Sequence, residues 1–195
     1  VSAVVDGTQA HVTWDVPDSD GGDSNLRYQV QLFDSNNEMV DTVTTTTLGY
    51  WFIGLTRGES YYAQVTASNV AGSADPVRTE TVVILATTPN TPNITTTTVT
   101  ATTVNITWDT PTYDGGSPVT GYTVTLTDAT ENVIASQEVT SSEASFSGLT
   151  PATEYAVTVT ANNVVGSSEP ASSGYLETDP TVPNSPTDVM LEISG

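Results

Sequence analysis

The side chains with chemical potential in this sequence are mostly carboxylates. Asp18-Ser19-Asp20-Gly21-Gly22-Asp23 sets three of them in one short turn. Calcium takes about six to eight oxygens, often from alternate loop residues with a glycine at the bend. Asp18, Asp20 and Asp23 are therefore the candidate ligands for that ion, and a solvated acidic turn is the plainer reading of the same residues. Glu177 and Asp179 are a sparser pair for the same cation. The single histidine, His11, lies between Ala10 and Val12 and is expected to point from a strand into solvent, with no pocket in which a serine triad could form. Cysteine is absent, which removes thiol catalysis, disulfides and Cys-ligated metals. Lysine is absent too, which removes Lys–Asn isopeptide crosslinks. Asn93-Ile94-Thr95 and Asn105-Ile106-Thr107 match the N-glycan acceptor pattern, and alternation sends Asn105 outward beside an inward Ile106. No cofactor other than calcium is suggested, and the residues read as non-enzymatic.

Charge narrows the partners. The 195 residues carry 23 Asp plus Glu against three arginines, a net charge of −20. Arg27, Arg57 and Arg78 are scattered and cannot form the cationic surface that displaces counterions from nucleic acid. Anionic membrane surfaces are disfavoured by the same argument. No apolar run is long enough to cross a bilayer, so membrane insertion by a helix is not expected. The chain opens at Val1 with no charged leader, so a signal peptide is expected to be absent or removed. Acidic, threonine-rich, lysine-free composition fits a secreted or cell-surface protein in salty surroundings.

These residues sit on a repeat. Trp14 recurs as Trp108, Tyr28 as Tyr122, Leu55 as Leu149, Tyr61 as Tyr155, Gly72 as Gly166 and Pro76 as Pro170, each 94 positions on. From Thr13 to Pro76 the two copies align without a gap, with 25 identities in 64 positions. Such a period is the mark of tandem domains. Pro89-Asn90-Thr91-Pro92 recurs as Pro183-Asn184-Ser185-Pro186. The division predicted is a first unit over 1–88 with a truncated N-terminal strand, a stiff proline linker over 89–92, a second unit over 93–180, and a linker with the first strand of a third over 181–195. In that last piece Val189, Leu191 and Ile193 alternate and are expected to pair with another strand.

Each unit reads as all-β. Ala10, Val12 and Trp14 alternate with polar residues, as do Tyr28, Val30 and Leu32, and Tyr61, Ala63, Val65 and Ala67; the second copy repeats every series. Period-2 alternation gives a strand one buried and one wet face. Threonine suits the wet face because its branched Cβ favours extended backbone. Trp51 and Ile53 fall out of phase with Phe52 and Leu55, so they are expected to face solvent where the second copy has Ser145 and Ser147. An exposed Trp beside an exposed Ile predicts a contact patch, for a neighbouring module, another protein chain or a carbohydrate.

In order and spacing these motifs resemble the fibronectin type III module: the Trp and Tyr of successive strands, Leu149-Thr150-Pro151-Ala152-Thr153-Glu154-Tyr155, and the 161–170 run Ala-Asn-Asn-Val-Val-Gly-Ser-Ser-Glu-Pro, with Leu55 to Tyr61 the first copy's version of the corner. The resemblance covers the whole chain. It implies tandem seven-stranded antiparallel immunoglobulin-like β-sandwiches with Trp14 and Trp108 central. It also implies tyrosine corners at Tyr61 and Tyr155. The family's Arg-Gly-Asp loop has no counterpart between Asn69 and Pro76 or Asn163 and Pro170, so integrin binding does not carry over. The function expected is a spacer, stalk or adhesion scaffold in an extracellular protein. Two other settings fit the sequence: an accessory carbohydrate- or protein-binding module of a secreted polysaccharide-degrading enzyme, and a structural domain of a virus tail or capsid.

Overall fold

The computed structural model describes residues 1–185 and Thr187. The alternating tail Val189, Leu191 and Ile193 lies outside the described residues. The chain forms two compact units. One comprises Val1–Pro89 with Tyr113–Val119 and Asn163–Gly166; the other comprises Asn90–Thr112, Thr120–Asn162 and the residues from Ser167.

In the first repeat, β1 (Ser2–Asp6), β2 (Gln9–Thr13) and β5 (Gly49–Phe52) form a three-stranded sheet in the order β1-β2-β5. The facing sheet runs β4 (Met39–Thr45), β3 (Arg27–Asp34), β6 (Ser60–Asn69). Three short pieces complete its far edge on β6: β7 (Gly72–Ser73), β8 (Val77–Arg78) and β9 (Val82–Val83). In the second repeat β10 (Asn93–Val99), β11 (Thr103–Asp109) and β14 (Glu143–Ser147) form one sheet. The other is β13 (Val133–Val139), β12 (Gly121–Asp128), β15 (Glu154–Asn162) and β16 (Ala171–Glu177). Every pairing is antiparallel. The second repeat is thus a three-on-four β-sandwich, and the first has the same plan with its seventh strand divided into the three pieces β7, β8 and β9.

The core lies where the inward phase places it. Ala10, Val12, Trp14, Tyr28, Val30, Leu32, Phe52, Leu55, Tyr61, Ala63, Val65 and Ile84 form the first cluster. The second copy buries the residue 94 positions on from each of them, Val104 through Val159, and closes with Thr178. Trp108 is 2% exposed and meets Tyr122 edge-on at 5.2 Å between ring centroids. Trp14 and Tyr28 repeat the contact at 5.5 Å. Both indole N–H groups are buried without a hydrogen-bond partner among the described residues.

The tyrosine corners are present in both repeats. The Tyr61 hydroxyl accepts the Thr56 amide at 3.2 Å, and Tyr155 accepts Thr150 at the same distance. A second shared device sits at the sheet edge. The Thr79 hydroxyl accepts the Ala63 amide and the Ser173 hydroxyl accepts the Val157 amide, both at 3.0 Å, so a side chain replaces a backbone acceptor where the edge strand bulges. One core position changes character. Where the first repeat buries Ile84, the second buries Thr178, whose hydroxyl donates to the Thr150 carbonyl at 2.6 Å and accepts the Thr153 amide at 3.0 Å.

Candidate functional site

The acidic loop joins β2 to β3. Its carboxylates are engaged locally. Asp20 accepts the Gly22 amide at 2.8 Å, and Asp23 accepts the Asn25 amide at 3.0 Å and its side-chain amide at 2.9 Å. Asn69 and Val70 of the β6–β7 turn tie the loop down, through the Asp20 carbonyl at 2.8 Å and the Asp23 carboxylate at 3.4 Å. The Asn25 amide first, then the Asn25 side chain and the Val70 amide, hold the Asp23 carboxyl below the usual carboxylate range. Among the described residues no three His, Cys, Asp or Glu side chains stand where they could hold a metal ion. Asp18, Asp20 and Asp23 share one loop, but the structure does not converge them on a common point, and Glu177 and Asp179 find no third ligand. The reason is visible in the turn: Asp20 and Asp23 each point at backbone amides two residues on, the ordinary Asx arrangement.

The β1-β2-β5 sheet presents a different kind of surface. β5 puts Phe52 inward at 1% exposure and turns Trp51 and Ile53 outward, at 43% and 72%. Register then decides who stands beside them. Val4 pairs with His11 and His11 pairs with Trp51, so the three form one row across the outer face. The His11 imidazole lies parallel on the Trp51 indole, 4.3 Å between centroids and 4° between planes. His11 does face outward, but it is half-buried against that ring rather than free in solvent. The second repeat builds the same row from Thr98, Asn105 and Ser145, with Asn105 donating to Thr98 at 3.3 Å. The 94-residue offset marks positions 4, 11, 51 and 53 as differing between the copies, but not which of them stand side by side.

The acceptor residues Asn93 and Asn105 are both exposed, one at the start of β10 and one in the middle of β11.

Two features of the four-stranded sheets were not foreseen. On the first, Phe33 and Tyr62 pair in register and stack at 5.1 Å, and the Arg78 guanidinium lies 3.4 Å over the Tyr62 ring. The Tyr62 hydroxyl donates to Asn37 at 3.1 Å. On the second, Asp128 closes the β12–β13 turn by accepting the Thr130 and Asn132 amides, at 2.9 and 3.0 Å, and both their side chains. The Asn132 side chain foremost, then Thr130, bring its carboxyl down to about 2.

Comparison with known proteins follows this geometry. The family model described as the fibronectin type III domain matches residues 1–83 and again 87–176. Endoglucanase B of Cellulomonas fimi is 33% identical over 158 residues, covering 75% of this chain and 14% of the enzyme. Kelch domain-containing protein SSO1033 of Saccharolobus solfataricus is 32% identical over 123 residues, covering 62% of this chain and 16% of that protein. Titin of Drosophila melanogaster is 24% identical over 174 residues, covering 84% of this chain and 1% of titin. The chain spans less than a fifth of each of these relatives. Among solved structures, a two-domain fibronectin type III segment of chicken tenascin matches with a TM-score of 0.47 and 20% identity, covering 88% of this chain and 93% of that one. With two matches to one family model on two seven-stranded sandwiches of the same plan, the chain belongs to the fibronectin type III family.

Proposed function

We propose that this chain is part of a non-catalytic array of fibronectin type III modules that spaces and presents other parts of a longer extracellular protein, and that the outer face of β1-β2-β5 in the first module is its contact surface. One observation carries the reading: two sandwiches with matching cores differ on that face, where Val4, His11, Trp51 and Ile53 replace Thr98, Asn105, Ser145 and Ser147. A core of constant design with a changed face is what a scaffold specialised by its surface would have. Trp is enriched at binding hot spots, and exposed Val4 and Ile53 widen the apolar area around it. The partner on that face is a neighbouring protein surface. Units 1–88 and 93–180 joined by the stiff 89–92 linker suit a spacer. Exposed Asn93 and Asn105 are glycan acceptors if the source cells glycosylate Asn-X-Thr sites.

The similarity to an endoglucanase favours a second reading, in which the modules are accessory parts of a secreted polysaccharide-degrading enzyme and Trp51 stacks on a sugar ring. One depletion assay separates the two. The protein and Trp51→Ser are mixed with insoluble cellulose, and the unbound fraction is measured. The spacer reading expects both to stay in solution; retention lost in Trp51→Ser selects the carbohydrate reading. Fractionation of the source cells tests the location. Recovery of the full-length protein from the cytoplasm alone would refute the extracellular assignment.

A further inference from the structure

The two four-stranded sheets differ in a way that points to a ligand. In the first module the outer face is closed by its own side chains. Phe33, Tyr62 and Arg78 are layered on one another, and Asn37 accepts the Tyr62 hydroxyl. The stack is tight enough to leave Tyr62 only 6% exposed although it points away from the core.

The second module has the same backbone and none of these side chains. Ninety-four positions on stand Thr127 for Phe33, Glu131 for Asn37, Ala156 for Tyr62 and Ser172 for Arg78. The ring has moved sideways instead. Tyr175 pairs with Ala156 in register, at the position where the first module has Thr81, and its side chain is 60% exposed. The result is a groove of about 310 Å³, floored by Ala156, flanked by Thr127 and Ser172, walled by Tyr175 and rimmed by Glu131. That volume is at the low end of ligand clefts, about 300–1,000 Å³, and suits one long side chain better than a cofactor.

We propose that this groove receives an arginine side chain from a partner protein, replacing in trans the cation that the first module supplies as Arg78. Three observations choose the occupant. A guanidinium already packs on a ring of this sheet in the first module, where Arg78 lies 3.4 Å over Tyr62, and Tyr175 gives the groove of the second module a ring of its own. The charge is uniformly acidic: residues 90–195 contain no Lys or Arg, so this half of the chain has no cation of its own to fill the seat. The rim carries a carboxylate, Glu131, whose side chain makes no hydrogen bond among the described residues. Glu131 takes the left-handed turn position, φ 65, that Asn37 holds at φ 62. Asn37 spends its side chain on the Tyr62 hydroxyl, whereas Ala156 offers Glu131 no donor. Neighbouring Asp128 is fully committed to its turn. Arginine fits better than lysine because its planar, weakly hydrated guanidinium stacks on an aromatic face while pairing with a carboxylate.

The test is a two-dimensional amide NMR titration of the full chain with acetyl-Gly-Arg-Gly-amide, its lysine counterpart and methyl glucoside. The arginine peptide should give saturable shifts confined to Glu131, Ala156, Ser172 and Tyr175, and bind about threefold tighter than the lysine peptide, because the guanidinium stacks on the ring while pairing with the carboxylate. Glu131→Gln should weaken it by about twofold to fivefold. Ala156→Tyr with Ser172→Arg, which imports the first module's own stack, should abolish the shifts. Equal binding of both peptides with shifts scattered over the acidic surface would overturn the proposal, as would shifts from methyl glucoside alone or indifference to Glu131→Gln.

Discussion

Trp108→Phe should cost far less than its burial suggests, and much less than Trp108→Ala. The indole sits at the centre of the second sandwich, 2% exposed against Tyr122, so truncation to Ala should destabilise that module by about 3–5 kcal/mol. Yet its N–H is buried with no acceptor. A buried donor left unpaired costs about 1–3 kcal/mol, and Phe removes the donor together with the two extra carbons of the indole. Those carbons are worth about 1.6 kcal/mol at about 0.8 per buried carbon, before any residual cavity. The two terms have opposite sign and similar size. Trp108→Phe should therefore lie within about 1.5 kcal/mol of the parent. Urea unfolding followed by far-UV circular dichroism reads both variants, with the first module's transition as internal reference because its core does not include position 108. If Phe costs as much as Ala, the indole N–H has a partner that offsets its burial, and the argument is wrong. A loss shared equally by both transitions would refute independent folding of the modules.

Tyr61→Phe and Tyr155→Phe each remove the acceptor of one corner amide and should each cost their own module about 1 kcal/mol in chemical denaturation. Thr178→Val keeps the volume and strands the Thr153 amide, so it should lower the second module by about 1–3 kcal/mol, while Ile84→Val, a change with no polar partner, should cost only about 0.5–1.5. Asp128 has a depressed carboxyl, about 2 against an ordinary 3.8. Its stabilising effect is complete above the unfolded value and fades as pH falls towards 2, so Asp128→Asn should flatten that part of the acid-unfolding profile. Millimolar calcium against chelator should leave both melting temperatures equal, because Asp20 and Asp23 already accept turn amides. A rise confined to the first module would show the loop re-forming around the ion.

What was legible in the sequence was whatever one strand encodes by itself. Alternation along residues 10–14, 28–32 and 61–67 gives the inward set, and it also gives Trp51 its outward direction from the single fact that Phe52 and Leu55 are buried. Corner hydroxyls are local as well, reaching an amide five residues back. Features that need two strands in register were not legible. His11 on Trp51, Arg78 over Tyr62 and the hollow beside Tyr175 each depend on which residue of one strand stands opposite which residue of another. Spacing within a strand does not fix that. The acidic loop is a different case: three carboxylates in six residues describe composition, whereas a metal site needs them to converge, and the Asx turns direct Asp20 and Asp23 at amides instead.

The pattern of difference between the modules is itself informative about where function resides. Of the twelve clustered core positions, eight carry the same residue in both copies: Trp14, Tyr28, Val30, Leu32, Phe52, Leu55, Tyr61 and Val65. At the four positions of the outer β1-β2-β5 face and the four of the outer stack, none is the same. Cores tolerate volume-conserving swaps at modest cost, so drift alone would have altered them too. Surfaces are ordinarily free to vary, but unconstrained variation would leave scattered polar changes. Here the differing positions are neighbours in space. Val4, His11, Trp51 and Ile53 turn one face apolar together, and Phe33, Tyr62, Arg78 and Asn37 appear as one mutually bonded cluster. Over a common core the two modules thus differ by whole groups of neighbouring side chains: the first carries exposed Trp51 and Ile53 and a closed Phe33–Tyr62–Arg78 stack, the second a polar row and an open groove beside Tyr175, and these two faces are where the proposed contacts are to be tested.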